Sequence, residues 1–187
     1  MNRLLIKNIN IINEGIKTSG DIYIEGEFIK KIGVDLTFDN EIKIIDGNGR
    51  IAIPGMIDDQ VHFREPGLTH KGDISSESKA AIAGGVTSYF EMPNTFPNTT
   101  SRKEFKKKIQ IASKNSFANF SFMFGGTNDN IDEIKKLDDK DVAGIKLFLG
   151  SSTGKMLIDN KDSIEKIFKS NSLPISAHCE DEQTIKD

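Results

Sequence analysis

The alternation of apolar and polar positions divides the chain into two parts with different periods. Residues 1–53 carry short segments with a period of two, which is typical of β-strands. These predicted strands are Leu4–Ile12, Asp21–Glu25, Phe28–Ile32 and Glu41–Asp46. Gly26 and Glu27 separate two of them by a hairpin connection. We therefore predict a small β-sandwich-like module over residues 1–53 that serves as a structural platform.

From residue 54 onward, predicted strands alternate with predicted helices. Nearly continuous apolar segments predict strands over Met56–Phe63, Val86–Met92, Phe117–Phe124, Val142–Leu149 and Pro174–Cys179. Capping residues and apolar residues at helical spacing predict helices over 73–83 and 102–112, and further helices around Ile131–Leu137 and Ile164–Phe168. Repeated β-α units of this kind indicate a parallel sheet that is covered on both faces.

Two α/β architectures fit this order of elements, a doubly wound open sheet and a (β/α)8 TIM barrel. An open sheet usually carries a glycine-rich phosphate loop after its first strand, whereas Gly84 and Gly85 follow a predicted helix. Polar residues follow several different strands at their carboxyl ends, as in barrel active sites. We therefore predict a partial, truncated barrel over residues 54–187, with its first five strands and about five βα units.

Composition and charge exclude several classes of protein. Hydrophobic residues make up 36% of the chain and the net charge is −3. No apolar segment approaches the ~20 residues of a membrane span, and no basic stripe suggests a nucleic-acid surface. The single cysteine cannot form an internal disulfide, which fits a reducing compartment. We expect a cytoplasmic protein that binds neither nucleic acid nor membrane.

The densest group of candidate functional residues lies in and just after the first predicted barrel strand. Strand alternation places Asp58, Gln60, His62 and Arg64 on one face. Four polar side chains on one face of an otherwise buried strand are costly unless that face lines a site. His62 is a candidate metal ligand, and Arg64 can bind a carboxylate with two hydrogen bonds. The alternative is an ordinary edge strand with solvated polar residues.

Three further residues lie at or after the carboxyl ends of other predicted strands: Asn94, Lys146 and His178. A lysine in an apolar strand must be paired, deprotonated or modified. A neutral amine at a metal centre can take up carbon dioxide and become a carbamate, which can bridge two cations. The alternative is an ion pair between Lys146 and Asp58 or Glu91. Cys179 should face away from His178 and is expected to be buried.

Several motifs in the same order resemble the cyclic amidohydrolases, and dihydroorotase in particular. They are Pro54–Asp58, His62–Gly67, Thr69–Lys71, Met92–Thr95, Ala143–Leu149 and Ser176–Asp181. The N-terminal β module resembles part of that family's composite sandwich domain. The resemblance extends over essentially the whole chain, and it is carried most specifically by His62-Phe63-Arg64 and Met92-Pro93-Asn94.

The resemblance implies metal-dependent, reversible hydrolysis of the cyclic amide of dihydroorotate to N-carbamoyl-aspartate, a step of pyrimidine biosynthesis. It implies that one or two zinc ions are held by His62, Lys146 as a carbamate, and His178. It also implies that Arg64 and Asn94 bind the substrate carboxylate. The family's general acid/base belongs to a strand expected beyond Asp187, so we expect the N-terminal part of a longer enzyme, with no catalytic acid/base and no activity of its own.

One departure from the family pattern leaves alternatives open. The family has His-x-His on the first strand, and here the first position is Gln60. Glutamine is a weak neutral ligand and a poor replacement for imidazole on zinc. One alternative is therefore a non-catalytic dihydroorotase homologue that scaffolds aspartate transcarbamoylase. The other is a cyclic amidohydrolase of the hydantoinase or allantoinase type. The protein is also expected to assemble as a homodimer.

Overall fold

A computed structural model of the chain describes residues 2–38, 41–138, 140, 142–150, 156–180 and 184. The chain forms two compact units, Met1–Pro54 and Gly55–Asp187. Within the described residues, every helix is too short or too polar to span a membrane.

The first unit is a five-stranded sheet. Its strands are β1 (Arg3–Asn13), β2 (Ile16–Glu25), β3 (Phe28–Gly33), β4 (Lys43–Asp46) and β5 (Ile51–Ala52). The order is β3-β2-β1-β4, with β5 also pairing with β1. The β1, β2 and β3 strands are antiparallel, whereas β4 and β5 run parallel to β1. Leu5, Tyr23 and Leu36 form the buried cluster of this unit, and Gly26 and Glu27 form the predicted hairpin connection.

The second unit alternates strands and helices along the chain. Its elements are β6 (Met56–Val61), α1 (Ile74–Ala83), β7 (Val86–Glu91), α2 (Arg102–Asn115), β8 (Asn119–Gly125), α3 (Ile131–Ile134), β9 (Gly144–Phe148), α4 (Lys161–Ser170) and β10 (Ile175–His178). The strands are parallel and lie in the order β10-β9-β8-β7-β6. Each strand therefore pairs with its predecessor in the chain and the order never reverses, as in a (β/α)8 barrel. The predicted partial barrel is confirmed.

Capping side chains begin the three longer helices of this unit. Asp73, Ser101 and Asn160 each accept a hydrogen bond from the backbone amide three residues later. The helices pack their inner faces onto a core of large apolar side chains, among them Tyr89, Phe122, Phe124, Ile145, Leu147 and Ile167. This core fixes the strand ends from which the polar residues of the site emerge.

The first barrel strand is shorter than the sequence predicts. The β6 strand ends at Val61, and its pairing with β7 shifts register between Asp58 and Val61. The Asp58 carboxylate accepts a hydrogen bond from the backbone amide of Gln60 at 3.1 Å, which is a local turn contact. His62 and Arg64 therefore lie in the following loop, and the prediction that strand alternation orients them is wrong.

Candidate active site

The predicted site residues gather at the carboxyl ends of four strands of the second unit. Gln60 lies near the end of β6, and His62 and Arg64 lie in the loop that follows. Asn94 follows β7, Lys146 lies in β9, and His178 is the last residue of β10. Parallel strands end at one edge of a sheet, so these residues share that edge.

Gln60 forms a hydrogen-bonded connection between two of the predicted metal ligands. Lys146 is 0% exposed, and its Nζ donates to Gln60 Oε1 at 3.0 Å and to Ser176 Oγ at 3.4 Å. Gln60 Nε2 lies 3.3 Å from His178 Nε2, so the amide donates to the imidazole in the matching tautomer. The His178 and Phe148 rings form a T-shaped pair with 5.3 Å between their centroids. Burial lowers the pKa of Lys146, whose hydrogen-bond partners are neutral.

His62 lies in the loop after β6, where the other predicted site residues affect its pKa. Burial lowers the pKa of His62, and the charges of Arg64, Lys146 and His178 lower it further, whereas a hydrogen bond with Asn94 acts in the opposite direction. His62 Nδ1 is buried and has no hydrogen-bond partner among the described residues. The structure thus places all five predicted site residues towards one edge of the sheet, and the roles predicted for them stay predictions.

A buried ion pair, which the sequence analysis missed, holds the loop after β6. Glu91 is 1% exposed, and its Oε1 accepts a hydrogen bond from the Arg64 amide at 3.1 Å. Its Oε2 lies 3.2 Å from Lys108 Nζ, which also donates to the Met92 carbonyl at 2.8 Å. Lys146 contacts Gln60 and Ser176 instead, so the alternative pairing of Lys146 with Asp58 or Glu91 is wrong. The spacing in the sequence could have predicted that Lys108 is buried, because it lies three residues after Phe105 and so falls on the apolar side of α2.

The loops after β6 and β7 are joined directly. The Phe96 amide donates to the Pro66 carbonyl at 3.0 Å. Gly67 has a φ of +84°, and a Cβ at this position would overlap the Phe96 carbonyl. Only glycine can adopt this positive φ without strain and also leave room for the Phe96 carbonyl. This close contact accompanies the burial of Asn94, which is 6% exposed, beside His62.

The predicted ligands of the site suit a divalent cation if Lys146 is present as a carbamate. Within the described ranges, no group of three or more His, Cys, Asp or Glu side chains is placed to hold a metal. The predicted set contains two imidazoles and Lys146, which becomes an oxygen donor only as a carbamate. The buried, unpartnered Nδ1 of His62 is a free donor atom of the type that zinc binds. Cys179, expected to be buried, is exposed.

Comparison with known proteins agrees with this geometry. Residues 49–187 match the family described as dihydro-orotase-like. A dihydroorotase of Methanosarcina mazei is 36% identical over 181 residues, which are 95% of this chain and 40% of that protein. An allantoinase of Desulfitobacterium hafniense is 32% identical over 190 residues, covering 98% of this chain and 42% of that protein.

The fold comparison gives the same relationship. An L-hydantoinase (dihydropyrimidinase) from Arthrobacter aurescens superposes with a TM-score of 0.92 at 28% identity, covering 100% of this chain and 42% of the other. The chain spans about 40% of the length of the curated relatives that it matches. These relatives are all cyclic amidohydrolases, and the family match extends over most of the chain. The chain belongs to the dihydro-orotase-like family.

Proposed function

We propose that the protein carrying this chain is a dihydroorotase, which reversibly hydrolyses the cyclic amide of dihydroorotate to N-carbamoyl-aspartate in pyrimidine biosynthesis. The observation that carries the proposal is the position of Arg64, which lies two residues after His62 in the loop that follows β6 and is held there by the hydrogen bond from its backbone amide to Glu91. A guanidinium group at this position suits a cyclic amide that bears a carboxylate. The similarity to the Methanosarcina mazei dihydroorotase supports the same substrate.

In this proposal, the residues of the chain bind and orient the substrate. Arg64 donates to the substrate carboxylate, and the Asn94 amide fixes its second oxygen. His62, Lys146 as a carbamate, and His178 would hold one or two zinc ions, and a cation there supplies Lewis acidity and lowers the pKa of water. We assign the general acid/base to no residue of this chain.

The environment of Lys146 supports the carbamate. Its hydrogen-bond partners, the Gln60 amide and the Ser176 hydroxyl, carry no charge, and burial lowers its pKa. Both effects favour the neutral amine. That amine forms an N–C bond with carbon dioxide and releases one proton, which gives an anionic oxygen donor.

Replacing Arg64 tests the proposed substrate. In the whole protein, we expect Arg64→Lys to lower kcat/KM for dihydroorotate by about 10–100-fold, since the planar two-bond contact with the carboxylate is lost. Arg50→Lys changes an exposed arginine of the first unit and is the matched control. Steady-state kinetics of both variants is the measurement. Unchanged kinetics for Arg64→Lys would argue against dihydroorotate.

A second candidate is another cyclic amidohydrolase activity. The similarity to the allantoinase and to the L-hydantoinase favours it. Substrates of the hydantoinase type need no carboxylate clamp, so Arg64→Lys should leave their turnover nearly unchanged. Parallel assays of the whole protein with dihydroorotate, hydantoin and allantoin separate these activities.

A third candidate, from a different class, is a non-catalytic homologue that scaffolds aspartate transcarbamoylase. Gln60 favours it, because its amide joins Lys146 and His178 where the family has an imidazole. Metal analysis of the whole protein after zinc and bicarbonate loading separates the two classes: a metal-poor protein supports the scaffold, and bound zinc supports the enzyme. We further propose that the protein is cytoplasmic, and that it assembles as a homodimer or with aspartate transcarbamoylase.

A further inference from the structure

Glu91 and Lys108 form a buried ion pair that the proposed chemistry does not use. Their side chains are 1% and 0% exposed. Removing two charges from water is costly, and apolar residues of similar size often replace such pairs without loss of stability. We infer that Glu91 and Lys108 are positioning residues for the carboxylate-binding side chains Arg64 and Asn94, an inference that rests on the function proposed above.

The contacts of Glu91 reach the backbone that carries the anion-binding side chain. Glu91 ends β7, and the amide of the next residue, Met92, donates to the Val61 carbonyl at 3.0 Å, where β6 ends. Glu91 Oε1 accepts from the Arg64 backbone amide at 3.1 Å. The carboxylate therefore holds the backbone of Arg64, the second residue after His62.

The backbone of Arg64 needs such a contact. Its φ is +72°, in the left-handed region that residues with a Cβ seldom adopt. Without an acceptor for its amide, Arg64 would relax towards an ordinary backbone conformation and its side chain would leave the site. The Glu91 carboxylate is the acceptor that the structure provides.

Lys108 extends the same support to the neighbouring loop. Its Nζ lies 3.2 Å from Glu91 Oε2, donates to the Met92 carbonyl at 2.8 Å, and lies 5.2 Å from the centroid of the Phe122 ring. Met92 lies two residues before Asn94. One ammonium group thus fixes both the orientation of Glu91 and the start of the loop that carries Asn94.

A charged pair suits this task better than a neutral one. A carboxylate has about four acceptor sites, enough for the Arg64 backbone amide on one oxygen and the Lys108 ammonium beside the other. A glutamine at residue 91 would retain one acceptor oxygen. Two variants can therefore be compared, one that retains an acceptor oxygen at residue 91 and one that does not. The comparison separates the effect of holding the Arg64 amide from the effect of the buried charge.

The experiment compares two double variants of the whole protein. Glu91→Leu with Lys108→Met removes the acceptor, whereas Glu91→Gln with Lys108→Met retains one acceptor oxygen and removes both charges. In the Leu/Met variant we expect KM for dihydroorotate to rise about tenfold with kcat little changed, because the Arg64 contact is made in both the ground state and the transition state. We expect hydrogen exchange of the Arg64 amide to accelerate about tenfold or more. The Gln/Met variant should lie closer to the wild type in both measurements.

A second ion pair on the same helix provides the control. Lys107 Nζ lies 3.1 Å from Glu104 Oε1 in an i,i+3 pair, and the lysine is exposed. Glu104→Gln with Lys107→Met should change neither KM nor the exchange of the Arg64 amide. If the Leu/Met variant does not fold, Glu91→Met with Lys108→Met gives the same comparison with a more adaptable side chain.

The outcomes separate this inference from the proposed function. A wild-type protein that does not turn over dihydroorotate overturns the proposed function, and the exchange measurements still decide whether Glu91 holds the loop. Unchanged KM and unchanged Arg64 exchange in the variants that lack the acceptor overturn the inference. An Arg64 amide that exchanges as fast in the wild type as the exposed loop amide of Thr69 also overturns it, whatever the variants do.

Discussion

Two completely buried lysines, Lys108 and Lys146, are held in chemically different ways. Lys108 is paired with a carboxylate, whereas Lys146 contacts an amide oxygen, a hydroxyl and, at 5.3 Å from its centroid, the Phe148 ring. Burial lowers the pKa of both side chains. Lys108 has a compensating charge in an ion pair, whereas Asp59 raises the pKa of Lys146 without forming an ion pair with it, so the two buried lysines differ in how burial is offset.

A third buried titratable group, Tyr89, makes a testable contribution to stability. Its hydroxyl donates to Ser116 Oγ at 3.1 Å, and burial raises the pKa of Tyr89 to about 12. An unfolded tyrosine titrates near pH 10, so this stabilisation is complete below about pH 10 and is lost as the pH rises towards 12. We expect the wild type to lose about 2–3 kcal/mol more of its unfolding free energy over that window than Tyr89→Phe does. Urea unfolding between pH 8 and 12 measures the slope, and parallel slopes would contradict the assignment.

At this scale, the sequence identified the residues that meet but not the contacts that hold them. His62, Lys146 and His178 were predictable because the ends of parallel strands converge. The burial of Lys108 could have been predicted, because it lies three residues after Phe105 and so falls on the apolar side of α2. The bridging contact of Gln60 depends on tertiary distances, which periodicity does not contain.

At the scale of elements, periodicity predicted which segments are strands or helices better than where they end. The β8, β9 and β10 strands all fall within or beside their predicted ranges. The largest difference is in the first unit, where β2 begins at Ile16 rather than at the predicted Asp21. Smaller differences occur at β6 and α3. Asp58 bonds the Gln60 amide and β6 ends early, while α3 is confined to Ile131–Ile134 although apolar spacing continues to Leu137.

The start of α1 depends on one titratable cap. The Asp73 carboxylate accepts from the Ser76 amide at 2.7 Å, and this hydrogen bond lowers the pKa of Asp73. The contribution is therefore present above about pH 4 and is lost as the pH falls through the lowered pKa. Asp73→Ala should lower stability at pH 7 but less at pH 3, whereas Asp73→Ser, which caps without titrating, should remain closer to the wild type at pH 7. Thermal unfolding at both pH values tests this, and an equal loss for Asp73→Ala at pH 7 and pH 3 would argue against the charged cap.

At the scale of the molecule, the two units differ in how much apolar surface they bury. The cluster of the first unit contains Leu5, Tyr23 and Leu36, whereas that of the second unit unites side chains from strands and helices along its whole length. The order of strands was predictable because β-α-β connections have a fixed hand and join neighbouring strands. It was not predictable which residues contact the apolar face of the first sheet, because alternation shows only that one face is apolar.

The edge of the first sheet gives the prediction that belongs to this scale. β3 lies at the end of the strand order, and its Phe28 and Ile32 are 65% and 53% exposed. An apolar edge strand can pair with a second copy of the chain. We expect the 187-residue chain to associate as its concentration rises, and Phe28→Thr with Ile32→Thr to reduce that association while preserving strand propensity. Sedimentation velocity over a range of concentrations is the measurement. Phe168→Thr removes an aromatic side chain of similar exposure from α4 and is the control, so equal association of all three proteins would show that the β3 edge does not drive it.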